Sequence, residues 1–195
     1  MVGLVQEYQG VTPHLIVHDA ASAIAFYQEA FGAELLERSD GPDGRVWHCE
    51  LRIAGGRVVL ADEFPELGMV SPRTIGEAPI ALHMYVHDVD ESVSRAVAAG
   101  AEVAPPQEAM GLEQPFGVSD MYWGDRYGMV LDPFGYRWEI ATRRAVYSPE
   151  ELDQRRQDFY ARADISPETT RQRAEQWHAE HPQFNRPSLP PSAEA

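Results

Sequence analysis

Lysine is absent from this chain: all 16 basic residues among its 195 are arginine. Without lysine there is no Schiff-base chemistry, no covalently held pyridoxal phosphate and no Walker lysine on a phosphate loop. Cysteine stops at Cys49, which excludes an intrachain disulfide, a cysteine-based zinc cluster and a CxxC redox pair. A reducing compartment suits such a chain, and a cytoplasmic location is expected. No apolar run approaches the roughly 18 residues of a membrane span. The opening MVGLVQEYQGVTPHL has neither the basic nor the apolar region of a signal peptide. Positive charge is scarce as well. The 31 acidic residues outnumber the basic ones, and a formal charge of -15 repels phosphate backbones, so neither nucleic acid nor a membrane is expected as a partner. No Ser-His-Asp order, G-x-S-x-G elbow, phosphate loop or H-E-x-x-H occurs.

What is present is a globular composition, 44% hydrophobic with 15 Gly and 15 Pro, in a chain long enough to bury its own core. The composition shifts near position 148. Up to about Thr142, apolar strand-like runs alternate with glycine turns; beyond it the chain is polar and helix-forming. Ser148-Pro149-Glu150-Glu151 and Ser166-Pro167-Glu168-Thr169 each put a cap residue before a first-turn proline and acid. They predict helices over about 149–163 and 167–180. Apolar residues there (Leu152, Phe159, Tyr160, Ala174, Trp177) are too few for a separate bundle, so an appendage resting on the body or on a second subunit is expected. The domain reading is 1–147 for the body, 148–182 for a helical extension and 183–195 for a proline-rich, disordered tail.

The body repeats itself. PHLIVHDAASAI at 13–24 aligns with LHMYVHDVDESV at 82–93, with His, Val, His and Asp in register, and AFGAEL at 30–35 aligns with AAGAEV at 98–103. Each copy reads as a strand, a turn at Asp, an amphipathic helix and further strands. ELLER, RVWHCELRI and RVVLAD follow in the first copy; AEVAP, then VSDMYWGD or GMVLD, then YRWEIAT follow in the second. The expected fold is α+β: two βαβββ modules, about 11–64 and 80–143, forming a cupped eight-stranded mixed sheet, plus the C-terminal helical extension. Neither module has much core alone, so each must pack on the other.

Period-two alternation sorts the side chains. His14 shares a face with Thr12 and Ile16, and His83 with Ala81 and Tyr85. Trp47, Cys49, Leu51 and Ile53 form an expected core stripe opposite His48 and Glu50, and Tyr136, Trp138 and Ile140 another opposite Arg137 and Glu139. Cys49 is therefore expected to be a buried, inert thiol. The loop MYWGDRYG brings Trp123, Asp125, Arg126 and Tyr127; an arginine and aromatics there suit an anionic or ring-bearing ligand, or else Asp125 and Arg126 simply tie the loop down.

VTPHLIVHDAASAIAFYQEAFGAELLER, LHMYVHDVDESVSRAVAAGAEV and WGDRYGMVLDPFGYRWEIAT together resemble the vicinal oxygen chelate superfamily of glyoxalases, extradiol dioxygenases and bleomycin-resistance proteins, over about residues 11–143. The resemblance implies a cupped sheet, usually in a dimer, with the site inside the cup. It also implies four metal-ligand positions, which fall here on Thr12, Val59, Ala81 and Glu139. Only Glu139 can ligate, so no metal or cofactor is expected at that site.

The leading expectation is non-covalent binding of a small polar or aromatic molecule, in the manner of antibiotic-resistance binding proteins, by nine residues: His14, His48, Glu50, His83, Tyr85, Trp123, Arg126, Arg137 and Glu139. A homodimer and a small-molecule ligand are the expected partners. The alternative is a metal-dependent lyase, isomerase or hydrolase of the glyoxalase type, using a shifted His14, His83, Glu139 site, since two imidazoles and a carboxylate are a common donor set for Zn²⁺ or Fe²⁺. The same three residues also read as polar lining or as hydrogen-bonded structural groups. A third class, a scaffold whose partner binds the acidic surface, stays open on sequence alone.

Overall fold

A computed structural model of the chain describes residues 10–76, 78–103, 117–163 and 166–180. The tail reading at 183–195 and the end of the AEVAP strand lie outside the described residues. The first module runs β1 (His14–Val17), α1 (Ala20–Phe31), β2 (Glu34–Asp40), β3 (Val46–Ile53) and β4 (Gly56–Asp62). The short helix α2 (Pro72–Ile75) lies in the link to the second module: β5 (Ala81–Tyr85), α3 (Val89–Ala98), β6 (Glu102–Val103), β7 (Val118–Asp120), β8 (Asp125–Leu131) and β9 (Arg137–Arg143). Two further helices follow, α4 (Pro149–Ala163) and α5 (Pro167–Glu180). The architecture is α+β with a C-terminal helical extension. Among the described residues, no helix is long and apolar enough to cross a membrane.

Hydrogen bonding groups the strands into two mixed sheets, one from each module. The first has the order β1-β4-β3-β2; the second has the order β5-β9-β8-β6, with β7 also paired to β8. In each, the first strand runs parallel to the last strand of its own module (β1 on β4, β5 on β9) and the remaining pairs are antiparallel. The repeat is thus preserved in topology as well as in sequence. It is preserved in the caps too: Asp19 accepts from the Ser22 amide and Asp88 from the Glu91 amide, each at 3.0 Å, satisfying donors that a helix start leaves open. Asp62, at the end of β4, adds bonds from the Ala20 amide (2.7 Å) and the Val46 amide (2.6 Å), pinning the start of α1 to the sheet.

One apolar core serves both modules. It joins Leu15, Val17, Ile24, Tyr27, Leu51 and Leu60 of the first to Val89, Val93, Val130, Trp138 and Ile140 of the second. Two polar links run through it. The Tyr27 hydroxyl donates to Asp132 at 2.7 Å, and Asp132 also accepts from Trp138 Nε1 and the Phe134 and Tyr136 amides. Burial pushes this carboxyl above its ordinary range, and the four donors oppose the push. The Tyr136 hydroxyl accepts from the Ile16 amide (3.0 Å) and donates to its carbonyl (2.9 Å), so a side chain of the second module closes part of the open edge of β1.

The expected core stripe of β3 needs one correction. Cys49, Leu51 and Ile53 are buried, but Trp47 is 52% exposed and Val46 takes the core position. Ser39 pairs with His48 and Asp40 with Val46, which leaves Trp47 as the extra residue of a β-bulge. Its ring instead lies 5.0 Å from that of Phe64. Burial pushes the Cys49 thiol up to about 11, as suits an inert core residue.

The extension meets the body through α4. Phe159 packs on a small cluster of Met121, Tyr127, Met129 and Ala141 beside Trp123, and its ring lies 5.4 Å from that of Tyr122. The side chains of Ala174 and Trp177 lie outside those described.

Candidate functional site

Strand register sets the polar faces. On the first sheet His14, Val59, Glu50 and Glu37 form one row across β1, β4, β3 and β2. On the second, His83, Glu139 and Met129 form the matching row across β5, β9 and β8. His14 and His83 therefore hold equivalent places on different sheets.

The first row is closed by charge pairing. Glu50 is buried (6% of its side chain exposed) and forms an ion pair with Arg57, itself 17% exposed. His48 Nε2 lies 3.2 Å from the other oxygen of Glu50. Burial, and then the nearby His48, hold the His14 imidazole below its usual range. Arg52 pairs with Glu34 farther along the same face.

The second row is more open. His83 Nδ1 lies 3.2 Å from Glu139, with side chains 42% and 29% exposed. The His83 ring stacks near Tyr127 at 6.4 Å. Burial, then the carboxylate of Glu139, push the Tyr127 hydroxyl well above its ordinary value. At the end of the sheet, buried Asp125 accepts from the Tyr85 hydroxyl (2.8 Å) and Trp123 Nε1 (2.9 Å) and pairs with Arg143 at 2.5 Å. The Nε of Arg137 is buried without a hydrogen-bond partner among the described residues.

The nine residues singled out from sequence thus separate into three places. His14, His48 and Glu50 gather on the first sheet. His83, Tyr85, Trp123, Arg137 and Glu139 gather on the second. Arg126 belongs to neither: alternation along β8 turns it toward α3, where Asp90 clamps it at 2.5 and 2.7 Å and Asp120 lies at 3.3 Å. Sequence reasoning passed over Arg52 and Arg57, whose place is readable from register, since Arg57 lies two residues before Val59 and so on the same face.

The modules approach one another at a cavity of about 600 Å³. Thr12, Arg52 and Arg57 of the first module and His83 of the second supply polar groups; Val58, Leu82, Met84 and Trp138 supply apolar wall. Such a mixture, in a cavity of this size, is what small-molecule sites use.

A metal ion, by contrast, is poorly served. Thr12, Val59 and Ala81 cannot replace the ligands that the resemblance puts at those positions. Among the described residues, the group of three or more potential ligands whose atoms lie within 4.8 Å of one another is Glu37, His48 and Glu50. His14, His83 and Glu139 do not form one. Even in the Glu37 group the Arg57 guanidinium already sits on Glu50, where an incoming cation would have to displace it.

Comparison with known proteins agrees with this fold. An uncharacterized protein of Mycobacterium tuberculosis is 44% identical over 145 residues, covering 73% of this chain and 79% of that protein. Among solved structures, a gene product of Arabidopsis thaliana is 27% identical with a TM-score of 0.51, covering 69% of this chain and 98% of that one. TioX from a Micromonospora species is 26% identical with a TM-score of 0.50, covering 72% and 100%. FosX of Listeria monocytogenes, a fosfomycin resistance protein solved with Mn(II) and sulfate, shares the fold at 22% identity and a TM-score of 0.50, covering 76% and 98%. The family model of the Glyoxalase/Bleomycin resistance protein/Dioxygenase superfamily matches residues 9–140, two thirds of the chain including both repeats, and the chain belongs to that superfamily.

Proposed function

We propose that the protein binds a small polar or aromatic molecule non-covalently in the cavity between its two modules. The observation that carries this reading is the convergence of His83 from one repeat with Arg52 and Arg57 from the other on a wall of Leu82, Met84 and Trp138. Arg52, half-exposed, has N–H groups beyond its surface pair with Glu34 to direct at an anionic or carbonyl oxygen, Arg57 adds positive charge while held on Glu50, and the wall accepts a ring or an aliphatic body. The polar face beside it, with Glu139 next to His83 and the unpartnered Nε of Arg137, extends the same donor and acceptor surface. Membership in a superfamily whose name includes bleomycin resistance supports a binding role of the sequestering kind.

The reading carries a cytoplasmic homodimer with it. The second module's first strand, β5, is a sheet edge, and Val11, Ile80 and Tyr85 near the two first strands are exposed; a second copy would cover that edge and the apolar surface. Light scattering is expected to give twice 21.8 kDa, and a mass near the single-chain value overturns the dimer.

Calorimetry of the metal-free protein against aromatic metabolites and antibiotics, bleomycin among them, tests the binding reading. A ligand is expected whose affinity falls at least about tenfold in His83→Ala and in Arg52→Ala, the loss of one charge-assisted contact. Absence of any ligand across the panel, or a ligand indifferent to both substitutions, sinks it.

A further inference from the structure

We propose a second binding site, for a small anion that carries a planar ring, in the cleft between the β7–β8 turn and α4, with Arg144 and Arg155 as its anion-holding residues. The cleft measures about 850 Å³ and is built by parts of the chain on either side of the family domain's end. Tyr122 and Phe159 form one wall, Tyr147 another, and three arginines border the space: Arg126, Arg144 and Arg155.

The three arginines are not equivalent. Arg126 is spent on Asp90 and Asp120. Arg144 forms no ion pair within 4.0 Å of any described carboxylate, and its guanidinium is rooted on a fixed piece of backbone. The Arg144 and Ala145 amides both donate to the Gly124 carbonyl at 2.9 Å. Gly124 has φ +96°, and a Cβ there would meet the Ala145 carbonyl oxygen at 2.3 Å, so only glycine lets the chain leaving β9 lie this close to the turn. Arg155 also lacks an ion pair with a described carboxylate. Its guanidinium lies 3.8 Å over the Tyr147 ring, a stack that fixes the plane while leaving the edge N–H groups available.

Each carboxylate at the cleft has a described partner of its own. Asp120 is engaged by Arg126, and Asp125 by Arg143. Asp158 accepts from Gln154 at 2.9 Å. Four guanidinia (Arg126, Arg143, Arg144 and Arg155) thus meet four carboxylates (Asp90, Asp120, Asp125 and Asp158), local neutrality in a chain whose formal charge is -15, and Arg144 and Arg155 are the two whose charge an oxyanion would complement. The aromatic walls supply the partner for a ring attached to it. This cleft is separate from the inter-module cavity and does not depend on that reading.

Titration calorimetry of the full chain with phenyl phosphate, inorganic phosphate and phenol, at low ionic strength, tests the proposal. Phenyl phosphate is expected to bind at least about fivefold more tightly than either half-molecule, and added salt is expected to weaken it as the Debye length shortens. The exposed pair Arg144→Gln/Arg155→Gln, with Arg144→Gln alone as the milder variant, is expected to lower affinity at least about tenfold and about threefold respectively, with an unchanged circular dichroism spectrum. His83→Ala is expected to leave phenyl phosphate binding within twofold. Unchanged affinity in both arginine variants overturns the proposal, as does no binding by the native chain at millimolar concentration. Loss in His83→Ala overturns it too, by assigning the anion to the inter-module cavity.

Discussion

The two modules share a topology and a pattern of caps, yet they treat the same place on the sheet differently. In the first, the row through His14 includes a buried carboxylate held by arginine, Glu50 with Arg57. In the second, the row through His83 includes Glu139, part-exposed and, among the described residues, ion-paired with that imidazole. A duplicated frame has therefore become one stiff polar face and one yielding face. An arginine–carboxylate pair out of water is costly to break, whereas a part-exposed His–Glu contact can trade its partner for a ligand at small cost.

The largest expected effect comes from breaking the stiff side. Arg57→Ala leaves Glu50 buried without its guanidinium, and chemical denaturation is expected to show a loss of about 3–5 kcal/mol. The double variant Arg57→Met/Glu50→Gln should recover much of it. A small loss in the single variant would mean that the two faces are energetically alike. His83→Ala is the counterpart on the yielding side. Its cost in stability is expected to be at most about 1 kcal/mol because the pair is well exposed, even as ligand affinity falls by the order of magnitude proposed above. Equal stability losses for the two variants would erase the distinction.

The smallest effect is a titration. Nuclear magnetic resonance is expected to find the His14 imidazole below its ordinary value of 6.5, and His48→Ala should raise it only partway, because burial contributes more than the neighbouring charge. The sign for stability follows from proton counting. Between the lowered native value and 6.5 the unfolded chain binds more protons, so stability contributed by His14 is complete above 6.5 and is lost as pH falls through that window. His14→Asn is expected to flatten this part of the dependence of Tm on pH. An unchanged profile would assign the acid sensitivity to other groups.

The fold was legible in sequence because its signals are local or repeated. Asp19 and Asp88 announce helix starts, and the aligned His-x-x-x-His-Asp strings announce equivalent strands. Period-two reading also put His83 and Glu139 on polar faces, and parallel pairing of β5 with β9 makes them neighbours. It failed at Trp47, since one extra residue shifts the alternation on the N-terminal side of the bulge, putting Val46 in the core, and nothing in VWHCELRI marks it. It failed to foresee the fate of Arg126, whose partner Asp90 lies on a helix 36 residues earlier and is invisible to spacing.

The contact between Tyr27 and Asp132 has a consequence for how the duplicated halves can melt. A hydroxyl from the first repeat satisfies a carboxylate in the tight turn of the second, and the Tyr136 hydroxyl returns the bond to the backbone of β1. Each repeat thus carries a hydroxyl, Tyr27 or Tyr136, whose described hydrogen-bond partner belongs to its sibling. Separation of the halves would strand both groups in apolar surroundings before any strand had unpaired, so half-folded species are disfavoured and loss of structure is concerted, with Trp47 in one repeat and Trp138 in the other reporting a single transition.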